Sequence, residues 1–303
     1  MKLSYVNSNK YSNVKEVLKA EFSMSDRLLL KLKKLDKIYL NGNITSVNHP
    51  VVENDLVECY LDYEEDNYNI VPTEMLLNII YEDECYLVIN KPAGIPVHPS
   101  MNHYTDSLSN GVAFYFNQIG LKKKIRPVNR LDKDTSGIVI FAKNEYIQEC
   151  LVKQMKSNEF IKKYIAIVDG NLDNLDGTIN APIARKESSI IERCVNETGD
   201  VAITHYKVLK REPDFDIVEC VLETGRTHQI RVHFDYLGHS LLGDTLYATA
   251  SPLIDRQALH AYKVEFVHPI LKKKVNYVAE VPEDLYKILK KRILVIYENT
   301  KNA

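Results

Sequence analysis

A polar turn running straight into an apolar, β-branched segment constrains this chain more than any other stretch. Arg126-Pro127-Val128-Asn129-Arg130-Leu131-Asp132-Lys133-Asp134-Thr135-Ser136-Gly137 is followed at once by Ile138-Val139-Ile140-Phe141-Ala142. The second stretch reads as a strand and the first as the loop that feeds it. Asp132 stands in that loop between Arg130 and Lys133, a carboxylate flanked by cations. Loops held by a rigid sheet are the usual home of catalytic groups, whereas a structural carboxylate in such a turn bonds its own backbone. These residues alone leave both readings open.

The 303 residues suffice for about two domains, and 45% hydrophobic with 26% charged residues is an ordinary globular composition. A net charge of −2 excludes a uniformly basic nucleic-acid binder but leaves room for a local basic face. The N-terminus has no apolar core or cleavage site of a secretory signal, and no apolar run is long enough to span a bilayer. Cys59, Cys85, Cys150, Cys194 and Cys220 are scattered, odd in number and without metal-ligand spacing. They are expected to be reduced thiols of a cytoplasmic protein.

Along the chain, Asn13 to Phe22 has apolar residues at helical spacing, and Ser23-Met24-Ser25-Asp26 supplies caps for a second helix. That helix, Arg27 to Leu35, sets Leu28, Leu29, Leu32 and Leu35 on one side and leaves Lys31, Lys33 and Lys34 largely on others. Lys37 to Asn43 reads as a strand entering an Asn-Gly turn, and Asp55 to Leu61 as a later strand. The acidic stretch from Asp62 to Asn69 reads as a linker.

Beyond it, Asn78 to Ile89 carries two strand signals around an acidic turn, closed by Asn90-Lys91-Pro92-Ala93-Gly94. A helix is expected around Val112 to Phe116, and the run Lys122-Lys123-Lys124 with Arg126 offers either a solvated basic face or a seat for a phosphate. Asn144 to Asn158 is helical in spacing. In Ile161 to Gly170, strand alternation puts Tyr164, Ala166 and Val168 on one face and Ile165 and Ile167 on the other. Polar residues from Thr224 to Gln229 crowd a turn before a helix start, and Leu285 to Tyr297 has the spacing of a basic tail helix.

Arg130-Leu131-Asp132-Lys133-Asp134-Thr135-Ser136-Gly137 resembles the signature of the RluA-type RNA pseudouridine synthases, although that family usually has His at the position of Asn129. The likeness extends over Asn90-Lys91-Pro92-Ala93-Gly94, Lys162-Lys163-Tyr164-Ile165-Ala166, Gly225-Arg226-Thr227-His228-Gln229-Ile230-Arg231 and the Gly238-to-Tyr247 and Arg256-to-Pro269 segments. It covers roughly residues 78–282. The first residues are similar to a small RNA-binding module found ahead of this family's catalytic domain.

The resemblance implies an α+β fold. A mixed, mostly antiparallel catalytic sheet with flanking helices occupies residues 78–303, after a small module in residues 1–62 and a linker in residues 63–77. It implies Asp132 as the catalytic carboxylate, Arg231 as its ion-pair partner and Tyr164 against the target base. Arg130, Lys91, Arg226, His228 and Gln229 would shape the cleft or touch RNA, and Lys31 and Lys34 would meet phosphates from the module.

The activity implied is isomerisation of uridine to pseudouridine in structured RNA, ribosomal ahead of transfer RNA, by a monomer that binds no membrane. Such a reaction needs one ionised carboxylate and a dry pocket, so no cofactor and no metal are expected. Two other readings stand beside it. A glycoside hydrolase needs a second carboxylate, for which Asp134 is the nearby candidate, although a turn-capping role suits it better. A non-catalytic RNA-binding or ribosome-assembly protein could use the same scaffold.

Overall fold

The structure is a computed structural model and describes residues 1–289. Its first part comprises β1 (Lys2–Val6), α1 (Val14–Phe22), α2 (Asp26–Lys34), β2 (Ile38–Leu40), β3 (Asn43–Ile44) and β4 (Leu56–Tyr60). Both helices are capped by side chains: that of Asn13 accepts from Glu16 N–H, and that of Ser25, in the stretch expected to supply caps, from Leu28 N–H. The strands form an antiparallel sheet in the order β1-β4-β2-β3. Asn41 and Gly42 both take positive φ, as the tight turn between β2 and β3 requires. Leu28, Leu29 and Leu32 are buried, but Leu35, expected beside them, caps the end of α2 and is exposed.

The larger part runs β5 (Ile79–Glu82), β6 (Tyr86–Lys91), α3 (Leu108–Gln118), β7 (Arg126–Pro127), β8 (Ser136–Ala142), α4 (Glu145–Lys156), β9 (Ile161–Asp169), β10 (Asp176–Asn180), β11 (Ile183–Arg185) and β12 (Arg193–Val195). It continues through β13 (Ile203–Arg211), β14 (Phe215–Leu222), α5 (Gln229–Tyr236), β15 (Leu259–Val267), β16 (Lys274–Val278) and α6 (Glu283–Leu289). The rest of the expected tail helix lies outside the described residues. β10-β13-β14-β9-β15-β8-β6-β5 form the spine of a ten-stranded sheet, with β16 added on β15 and β7 on β8. A hairpin of β11 and β12 stands apart. The fold is therefore α+β with a mixed, mostly antiparallel sheet, its parallel pairing being β15 with β8.

Apolar layers cover both faces of this sheet. Ile138 and Ile140 of β8 pack toward α4 and the helices of the first part, while Val139 and Phe141 pack toward α3. On β9, Tyr164, Ala166 and Val168 join Ile230 and Phe234 of α5, and Ile165 and Ile167 join Leu285 of α6. The alternation read from the sequence is the division between these two layers.

Gly137 fixes the junction at which β8 leaves the signature loop. Its φ is +118°, and a Cβ there would lie 2.3 Å from the Ala261 carbonyl oxygen of β15. Only glycine allows the two strands to meet at this point.

Residues 63–67 are packed between the two parts. Glu65 makes a two-pronged ion pair with Arg126 (2.7 and 2.8 Å) and a third contact with Lys31 (2.7 Å). Lys31 also reaches Glu145 of α4 at 2.8 Å and lies over the Tyr63 ring. Lys123 is buried and donates to the carbonyls of Leu61 and Tyr63. Two expectations need correction here. Lys31 does not present a solvated phosphate contact, because two carboxylates hold it against the body. The 122–126 basic run is split and makes no continuous basic face, because Lys123 and Arg126 are turned inward onto this segment while Lys122 and Lys124 stay exposed.

Candidate active site

Asp132 opens into a cleft of about 860 Å³ that is also lined by Arg130, Tyr164, Arg226, His228, Gln229 and Arg231. Three separate pieces of chain bring its charged and aromatic groups together: the loop before β8, the first half of β9 and the turn into α5, with residues 96–100 and the end of α4 completing the walls. Strand alternation aims Tyr164 at the cleft, and helix α5 begins in time to bury Arg231 on its first turn.

Arg231 joins two carboxylates. Its Nε and one Nη bind Asp244 side-on at 2.6 and 2.7 Å, and its other Nη lies 3.2 Å from Asp132 Oδ2. Asp244 is completely buried and also accepts the backbone N–H of Leu246 and Tyr247. The Tyr247 ring lies 5.1 Å from the Arg231 guanidinium carbon. Burial opposes the charge on Arg231, but Asp244 and then Asp132 outweigh it and raise its pKa. A bidentate pair fixes the plane of the guanidinium, so the third nitrogen reaches Asp132 from a set direction.

His228 sits at the mouth of α5 with φ +58°, its Nε2 4.0 Å from Asp132 and its Nδ1 sharing a hydrogen bond with the Tyr247 hydroxyl. Burial pushes its pKa down, Arg231 adds to this, and the nearby Asp132 opposes it. Burial also raises the Tyr164 phenol, with the Asp132 charge second, so its proton stays on.

The loop around Asp132 is gripped through its backbone. Lys91 is fully buried, and its ammonium donates to the carbonyls of Pro92, Ile95 and Lys133, each at 2.8 Å. Burial pushes its pKa down to about 7. Arg256 donates to the Asp134 carbonyl at 2.9 Å, and Gln257 to the Thr135 hydroxyl at 3.2 Å. Asn129 is buried and behaves as a peptide group, donating to the Ile138 carbonyl (2.8 Å) and accepting from Ile140 N–H (2.9 Å). The residue that departs from the family pattern thus splices the loop onto β8.

The structure brings Asp132, Tyr164 and Arg231 together, with Arg130, Arg226 and His228 around them. Arg226 holds the Val201 carbonyl through Nε and remains exposed, as does Arg130. Of the two roles expected of Lys91 and Gln229, shaping the cleft or touching RNA, both residues take the first. Lys91 has no access to a ligand, since three carbonyls take its protons. Gln229 accepts from the Thr224 hydroxyl and the Arg226 N–H and donates to the Ile203 carbonyl and the Thr204 hydroxyl, so it builds the turn. Lys34 is exposed on α2, away from the residues that line the cleft. Asp134 contributes its carbonyl to the loop instead of the carboxylate cap expected of it.

Sequence reading missed Asp244 and Arg256. The signal for Asp244 was the Gly243-Asp244 pair: Gly243 has φ +69°, and a Cβ there would lie 2.4 Å from the carbonyl oxygens of Ile254 and Arg256. Asp83, Cys85 and His268 also cluster closely enough to suggest metal ligands. His268 Nδ1, however, accepts from Ile270 and Leu271 N–H while Nε2 faces Asp83, so the ring closes a turn.

The family model for RNA pseudouridylate synthase matches residues 85–236. The chain belongs to this family. The synthase is 38% identical over 271 residues to the uncharacterized RNA pseudouridine synthase YjbO of Bacillus subtilis, covering 89% of this chain and 96% of that one. It is also 38% identical over 284 residues to ribosomal large subunit pseudouridine synthase D of Xylella fastidiosa, covering 89% and 84%. Among solved structures, human RNA pseudouridylate synthase domain containing 1 is similar with a TM-score of 0.57 at 25% identity, covering 68% of the synthase and 84% of that chain. Membership makes the synthase an isomerase acting on RNA. Among the described residues no helix is long and apolar enough to cross a membrane.

Proposed function

We propose that this synthase converts uridine to pseudouridine in structured ribosomal RNA, with Asp132 as the carboxylate that acts on the sugar. The observation that carries the assignment is the line Asp244–Arg231–Asp132 ending in a cleft shared with Tyr164. Relatives named as ribosomal large subunit synthases favour ribosomal over transfer RNA. The alternative of a non-catalytic RNA-binding protein has no need of a buried arginine held between two aspartates.

The reaction breaks the bond from C1′ to N1 of uracil, turns the base and joins C1′ to C5, with loss of the C5 proton to solvent and gain of one at N1. No atom is added overall. Asp132 meets the electron-poor sugar carbon as the base departs, and the Arg231 guanidinium keeps the carboxylate aimed. Tyr164 provides a flat surface on which the freed base turns. Flipping the nucleotide out of its stack costs a few kcal/mol, which Arg130 and Arg226 at the rim offset by contact with the backbone. Asp244 is fully engaged by Arg231 and two N–H groups, and Glu223, which shares the cleft lining with Asp132, is taken by His205 at 2.6 Å, so neither stands as a hydrolase's free second carboxylate.

Residues 1–62 then form a small RNA-binding-like module with Lys34 on its free face, residues 63–77 the connecting segment and residues 78–303 the catalytic domain. The five cysteines are free thiols, in keeping with a cytoplasmic enzyme. One chain supplies the whole site, so a monomer suffices. Mapping pseudouridines in ribosomal and transfer RNA from cells with and without the protein tests this reading. Loss of ribosomal sites on deletion is expected; unchanged maps in both RNA classes would remove the assignment.

A further inference from the structure

Lys162 lies on β9 two residues before Tyr164, so both side chains leave the strand on the same face, about 6.6 Å apart along it. Both line the cleft that holds Asp132, and Lys156 at the end of α4 lines it as well. Among the described residues the three buried lysines all have partners: Lys91 three carbonyls, Lys123 two, and Lys263 the Glu265 carboxylate at 2.8 Å. Lys162 differs from them. Among the described residues no carboxylate pairs with its amine, and no hydrogen bond holds it. Burial alone lowers its pKa, with no protein charge to offset the cost. A long amine partly withdrawn from water and left unpaired in a substrate cleft is completed by an anion from the substrate.

The neighbouring turn leaves room for that anion. A Cβ on Gly225 would come 3.6 Å from Lys162 Nζ, and Gly225 lies outside the left-handed region. Hydrogen at this position leaves the amine open to the cleft, where a Cβ would stand in van der Waals contact with it and a long side chain such as Leu would cover it.

We propose that Lys162 is the phosphate anchor of the site, pairing with a phosphodiester of the flipped nucleotide while Tyr164 lies on its base. The spacing of the two side chains along β9 is within the reach of a single nucleotide. The proposal rests on the uridine-isomerising reading of the cleft and adds which phosphate contact seats the nucleotide. It makes Lys162 a binding residue, separate from the carboxylate chemistry at Asp132.

The test is RNA binding and turnover on a large-subunit ribosomal RNA transcript across a salt series. Lys162→Met removes the charge and keeps the apolar stem; Gly225→Leu leaves the charge in place and covers it; Lys162→Arg restores a cation. Losing one phosphate contact should flatten the slope of log affinity against log salt by about 0.7. Affinity should fall about tenfold and KM rise with it, while kcat stays within about twofold of wild type. Gly225→Leu should reproduce the shift, and Lys162→Arg should return the slope.

An unchanged slope in Lys162→Met with the thermal midpoint retained would overturn the proposal. So would a loss of kcat without a change in slope. Wild-type protein that binds the transcript but forms no pseudouridine would instead overturn the reading of the cleft, and the slopes would still decide the role of Lys162.

Discussion

The Lys91 ammonium lies 2.8 Å from the carbonyl of Lys133, so a cation with no exposure to solvent holds the backbone next to Asp132. The same ammonium holds the turn at Pro92 and Ile95, which ties one wall of the cleft to the loop that carries the carboxylate. Lys91→Met should take away the donor that three carbonyls share, with Lys133 keeping only the Gly94 N–H, and lower stability by about 3 kcal/mol. Loosening the loop by about 1 Å should cost on the order of a hundredfold in turnover. Urea midpoints and rates measured on the same preparation check both numbers.

Asp244 touches no substrate, yet it sets the direction of Arg231. Asp244→Asn should remove a buried ion pair and destabilise the protein by about 3–5 kcal/mol. Arg231 is then free to fold onto Asp132, so turnover should fall steeply in molecules that remain folded. Calorimetry with an activity assay below the lowered midpoint separates the two effects. A variant with wild-type stability would show that the pair has no structural weight.

Gly137 and Gly120 form a matched pair. Both have positive φ, but a Cβ on Gly137 meets the Ala261 backbone, whereas one on Gly120 meets open space. Gly120→Ala should cost only the backbone strain of about 1–2 kcal/mol. Gly137→Ala must also push β8 from β15 and should cost several kcal/mol more, read as loss of soluble, cooperatively melting protein.

Acid should unfold the protein in two stages. Buried His260 is held down to about 4 by burial, against an ordinary value of 6.5, so the unfolded chain binds more protons between these pH values. Stability therefore falls as pH drops from 6.5 to 4. Glu65 comes next: burial opposes its charge, but Arg126 and Lys31 outweigh this and hold the carboxyl at about 2, below its usual 4.5. Its contribution is complete above 4.5 and is lost as pH falls from there toward 2. Glu65→Gln should lower stability at neutral pH by about 3 kcal/mol and flatten the second stage only. Thermal midpoints across a pH series test the order.

Much of the site was legible before the structure because its parts are local. The loop before β8, the alternation around Tyr164, and the turn into α5 are short patterns whose chemistry does not depend on distant partners. The Ser25 cap and the Asn41-Gly42 turn were readable for the same reason. What sequence could not give was the fate of charges whose partners are far along the chain. Lys31 reads as a solvated helix lysine until Glu145 is placed beside it, and Lys91 reads as a ligand contact until Lys133 comes within reach. Asn129 looked like a lost histidine, yet its amide substitutes for a strand peptide, which shows only once β8 is paired with the loop. β1 has no punctuating residues of its own and owes its place to β4.

The most direct test is single-turnover conversion of uridine to pseudouridine by Asp132→Asn on a large-subunit ribosomal RNA transcript, with RNA affinity and melting measured in parallel. Asparagine keeps the shape of the side chain and removes the charge that Arg231 faces at 3.2 Å. The expected result is no detectable pseudouridine, with affinity within about threefold of wild type and a cooperative melt, since both phosphate contacts and core are untouched. Conversion by this variant within about tenfold of the wild-type rate, equivalent to less than about 1.4 kcal/mol of barrier, would contradict a catalytic role for Asp132.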